Sequence, residues 1–157
     1  MFGITSAADF RAKAGRDNVA LQGEIANADL AINAILSAYH LHEWVWSLVL
    51  KPAKPVTVRG VVFRTKDDWV SWLDTNCPHF GLLQELANGS KHCLPVVGAA
   101  KVEGYGQGPW GIGPFGVPYL LIDLGEARAA DERWLVATIA LQEVNDFWSD
   151  LATELNF

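Results

Sequence analysis

A chain of 157 residues, half of them hydrophobic and 19% charged, has ample material for one buried core and lacks the composition of a disordered segment. Its net charge of -6 argues against sequence-independent duplex binding, which needs Lys and Arg to neutralise many phosphates. Two cysteines are too few for a disulfide scaffold. With no signal-like run at the N-terminus and no apolar stretch of about 18 residues, the expectation is one cytoplasmic domain over 1–157 and no membrane span.

In chain order, the first strong pattern runs from about Asp17 to Leu50. Leu21, Ile25, Ala28, Ile32, Ile35, Tyr39, His42, Trp46 and Val49 follow at spacings of four and three, which predicts one long amphipathic helix of about 50 Å. Gln22, Asp29, Asn33, His40, Glu43 and Ser47 take the opposite side. KPAKP at 51–55 removes backbone donors and stops it.

VTVRGVVFR at 56–64 predicts a short strand or extended segment from its β-branched residues. Thr65 with Asp67 and Asp68 predicts a helix start, leading into a short helix through WVSWL. Pro78 is placed at the first position of a third helix that runs to about Lys91.

Residues from about 96 to 125 predict an antiparallel hairpin, VVGAAKVEG and VPYLLIDLG around a glycine- and proline-rich tip. Trp134, Ala137, Leu141, Val144, Trp148, Leu151 and Leu155 restore helical spacing and predict a last helix over Asp131 to Leu155. The expected fold is therefore mainly α: a bundle of about four helices, one long and N-terminal, with a β-hairpin insertion between the third and last. Seven Trp in a chain this short are expected in the core or at an interface.

Several constellations invite a chemical reading. Gly106, Gly108 and Gly111 have the spacing of a phosphate-cradling loop, but such a loop must open a helix, and Pro109 and Pro114 forbid one. An exposed tip carrying Trp110 and Phe115 as contact residues is the better account. Cys77, His79, His92 and Cys93 are of metal-ligating type, yet the two pairs stand about 20 Å apart if one helix separates them, so no metal is assigned within one chain. Only ligands shared across a dimer could gather. Tyr39 and His42 on the apolar seam are candidate binding residues, against the commoner reading of a core histidine bonded to a neighbour.

On the third helix, His79, Leu82, Leu83, Leu86, Ser90 and Cys93 fall on one predicted side. Gly81, Gln84, Glu85, Asn88 and His92 fall on the other, where Gly81 would let a second helix approach closely. Asn88 and His92 are thus stacked one turn apart, with Lys91 beside them and Glu85 below. A solvated face with cations favoured by the helix C-terminus is the plain alternative.

ANGSKH, residues 87–92, resembles the RNxxxH signature of the HEPN superfamily. That resemblance implies an all-α bundle, commonly a homodimer, acting on single-stranded RNA as a metal-independent ribonuclease in a toxin–antitoxin or antiphage setting, with no cofactor. It makes His92 the catalytic acid or base and Asn88 the matching polar residue. The family's arginine position is Ala87 here, so the cation that steadies the phosphate would have to be Lys91, a point charge without arginine's fork. The competing expectation is a protein-interaction module without catalysis, held through Trp110 and Phe115.

Overall fold

Ser6 starts the first helix. Its hydroxyl accepts from the Asp9 N–H at 3.0 Å while the Asp9 carboxylate accepts from the Ser6 N–H at 3.0 Å, a reciprocal cap that satisfies two orphan donors. Helix α1 spans Ala7–Gly23. The Asn27 side chain then accepts from the amides of Asp29 and Leu30 at 3.1 and 3.2 Å and opens α2, Ala28–Val45. The single long helix expected from about residue 17 to 50 is therefore two helices. The apolar spacing runs on through Leu21, Ile25 and Ala28, so periodicity alone hides the break that Gly23 and Asn27 make. After α2 the chain continues without interruption through a π-helical turn, Trp46–Leu50, into the short α3, Lys51–Ala53.

The computed structural model describes residues 2–92, 98–102, 108–129 and 132–157, the side chains of residues 91, 92 and 98–102 apart. Helices α1 and α2 pack antiparallel. Phe10 stacks on Trp44 at 4.8 Å, the Ser37 hydroxyl donates to the Asp17 carboxylate, and Lys13 Nζ reaches both at 2.5 and 2.6 Å. Helix α2 buries Ala31, Ala34, Ser37, Ala38, Leu41 and Val45, small side chains among them that let helices approach closely. This seam is offset from the expected one. Tyr39, His42 and Trp46 are buried beside it, while Ile32 stays 43% exposed.

VTVRGVVFR folds back on itself rather than forming one strand. β1 (Val56–Val58) and β2 (Val61–Phe63) pair antiparallel across Arg59 and Gly60, whose φ values of 49° and 79° match the primed turn that suits a two-residue hairpin. Thr65 and Asp68 repeat the reciprocal cap and begin α4, Lys66–Asn76. Pro78 and His79 form a turn, and α5 runs Phe80–His92. His79, with φ 57°, therefore precedes the helix, and Pro78 is not its first residue.

β3 (Gly98–Val102) and β4 (Tyr119–Asp123) form the expected hairpin. A third strand, β5 (Trp134–Val136), pairs with β4 on its other edge, Leu121 opposite Val136. Helix α6, Ala137–Leu155, starts directly from it. Trp134 thus belongs to the sheet and not to the last helix. Aromatic and β-branched residues fit a pleated, half-buried edge, and three residues are too few to betray a period of two.

The order is a mainly α bundle with a β-hairpin insertion between the predicted third and last helices. Its core is aromatic. Trp69 and Trp72 stack at 5.5 Å, and Trp148 meets Trp69 at 6.2 Å. The Trp148 and Trp69 indoles donate to the backbone oxygens of Ala38 and His42 at 3.1 and 3.2 Å, which satisfies their only polar atoms. Among the described residues no helix is long and apolar enough to cross a membrane.

Candidate functional site

Helix α5 turns Phe80, Leu83 and Ala87 into the core and leaves Glu85, Asn88 and Ser90 exposed. The inward stripe is therefore 80, 83, 87, and Ser90 lies outside it, its hydroxyl donating to the Ala87 carbonyl at 2.8 Å. Ala87 is only 4% exposed, so the position where the HEPN signature carries arginine faces the core. Asn88 is on the surface one turn before His92. Lys91 and His92 complete the helix, and their side chains lie outside the described residues. A Cβ at Gly81 would stand 2.8 Å from Asp74 Oδ1, the end of an α4 side chain, with no backbone of a second helix against it among the described residues.

Antiparallel to α5, helix α2 supplies a polar junction. Tyr39 and His42 are 9% and 2% exposed; this is the core arrangement of the two weighed for them. The His42 Nδ1 lies 2.6 Å from the Tyr39 carbonyl, an acceptor, so Nδ1 carries the hydrogen and Nε2 is left facing Glu43 Oε1 at 3.4 Å. Lys66 Nζ donates to that same Oε1 at 2.5 Å. The rings of Tyr39 and Phe80 flank the imidazole at 4.7 and 5.4 Å.

Burial lowers the His42 pKa below its ordinary value, partly offset by the Tyr39 carbonyl and Glu43. For Glu43 burial pulls upward, but the Lys66 ammonium, hydrogen-bonded to it, helps to outweigh that and hold the carboxyl below the usual range. Burial raises the Tyr39 phenol, against a hydrogen bond with the Gln84 side chain, so it stays a neutral hydroxyl at neutral pH. Tyr39 thereby ties α2 to the α5 stripe of Gln84 and Asn88.

Sequence reasoning missed Glu43 and Lys66 as a pair. They are 23 residues apart, and only the return of α4 against α2 brings them together. Of the four residues weighed as metal ligands, Cys77 is buried and its thiol is pushed up to about 12, while His79 Nε2 sits 2.7 Å from Glu143 of α6. Cys93 lies outside the described residues, among which no three His, Cys, Asp or Glu side chains gather in a metal-holding group.

The hairpin tip holds Trp110 and Phe115 at 99% and 81% exposure. Tyr119 shapes it: its hydroxyl donates to the Ile112 carbonyl at 2.7 Å, and a Cβ on Gly113 would come within 2.5 Å of its ring. Gly106 of the glycine-rich pattern lies outside the described residues. Gly108 and Gly111 sit in bends and turns without a helix behind them. No protein-family model matches this chain, and no curated protein sequence or solved structure is significantly similar to it.

Proposed function

We propose that the chain is a divergent HEPN-like domain, cytoplasmic and homodimeric, that engages single-stranded RNA through Asn88, Lys91 and His92 on the last turns of α5. The observation that supports this reading is the placement of Asn88, exposed one helical turn before His92 on a helix whose other side is built into the bundle. A histidine there can exchange a proton near neutrality. Because Ala87 is turned inward, the electrostatic help that an arginine would give must come from Lys91. Loss of such a donor typically costs about 10²- to 10³-fold in rate, so the reading is of RNA binding with slow, metal-independent cleavage.

The test is incubation of metal-free protein with a mixed single-stranded RNA pool, read on a sequencing gel, beside a filter-binding assay. Wild type should bind and slowly cut. His92→Ala should stop cutting, and Lys91→Ala should weaken binding and lower its dependence on salt. Absence of both binding and cutting in wild type would sink the reading, and the fully exposed Trp110 would then direct the search toward a protein partner.

A further inference from the structure

Between α2, α5 and β4 lies a half-open cavity of about 290 Å³. Its larger lining residues are Ile32 and Ile35 of α2, Leu86 of α5, and Leu120, Leu121 and Ile122 of β4. Ser90 is the one polar side chain among the described residues that line it. Protein interiors are packed to the density of organic crystals, with few voids larger than a water molecule. A space this large, with one hydroxyl among the described side chains around it, offers water few partners there.

We infer that this cavity is a binding site for a small, uncharged, apolar molecule, aromatic or alkyl, carrying at most one hydroxyl at the mouth. Size, charge and hydrogen bonding each narrow the choice. A dry cavity of about 150 Å³ takes one benzene, so this one has room for a fused two-ring aromatic or a medium-length alkyl chain. The described lining bears no charge that could pair with an ionised ligand. Ser90 has already given its hydrogen to the Ala87 carbonyl at 2.8 Å, leaving only lone pairs, so it can accept from a ligand hydroxyl but donate nothing. The site is independent of the RNA reading, although it borders the α5 turn that carries Asn88.

The test is a titration of the full chain with naphthol and with octanol, followed by calorimetry and thermal melting. Each should bind once and saturably, and at about a hundred times Kd should raise the melting midpoint by roughly 5–10 °C. Ile35→Trp, which fills the cavity, should weaken binding at least tenfold. Ile32→Trp, at a mouth position already 43% exposed and so tolerant of folding, should do the same. No saturable binding by wild type would overturn the assignment, and so would binding undiminished in folded Ile32→Trp. Binding that emerges only in Trp110→Ala would also overturn it, since a second copy's indole would then be the occupant.

Discussion

His42 shows how one side chain sets a pH dependence. Its imidazole is buried with Nε2 turned to a carboxylate that Lys66 already holds, and burial keeps its folded pKa below the ordinary 6.5. The unfolded chain therefore binds the proton more readily. Stability from this group is complete above about pH 6.5 and is lost as pH falls from there through the folded pKa, with a slope of at most about 1.4 kcal/mol per pH unit. Urea midpoints measured from pH 7.5 to 5 should fall in the wild type and flatten in His42→Phe. The same slope in both proteins would show that another group is responsible. Asp9, Asp68 and Asp123, each lowered by hydrogen bonds, act in a separate and more acidic window. Of this junction, Tyr39 and His42 were legible in the sequence because they sit on an apolar seam. Glu43 and Lys66 were not, because a pair made by tertiary return leaves no spacing to read.

At the scale of elements, two helices begin with the same device. Ser6 and Thr65 each accept from the amide three residues on, and Asp9 and Asp68 reach back. Ser6→Ala and Thr65→Ala should each cost about 1 kcal/mol, and the double variant about the sum, because the caps share no partner. Chemical denaturation checks both; a clear departure from additivity would mean that the helix starts communicate. The Thr65 cap was readable in advance, since a polar residue followed by acids is a start signal. Ser6 followed by Asp9 is the same signal, but α1 carries a weaker apolar rhythm than the one beginning at Asp17, which masks it. That rhythm also concealed the Gly23–Asn27 break, because an α-helical hairpin can carry one apolar stripe across its turn. β5 failed for the converse reason: its Trp134 and the following Ala137 happen to be three apart and so continue the register of α6.

Across the whole molecule, α6 ties α1, α2 and the sheet together. Trp148 is 1% exposed, meets Trp69 and Phe147 at 6.2 and 5.6 Å, and hydrogen-bonds α2 through Ala38. Asn18 and Gln22 of α1 reach the same helix at Gln142 and the Thr138 carbonyl, at 2.9 and 3.0 Å. Trp148→Ala should destabilise the fold by about 3–5 kcal/mol, with loss of near-ultraviolet dichroism before loss of helix on denaturation. A cost below 1 kcal/mol would mean that the aromatic cluster repacks around the vacancy. The bundle and its hairpin were foreseeable, because apolar stripes of this length must bury one another. The direct passage from β5 into α6 was not. Val136 is both the last residue of the strand and the N-cap of the helix, so no hinge separates the two. The ladder that joins β4 to β5 therefore ends on the first turn of α6, so the sheet and the last helix share one backbone joint.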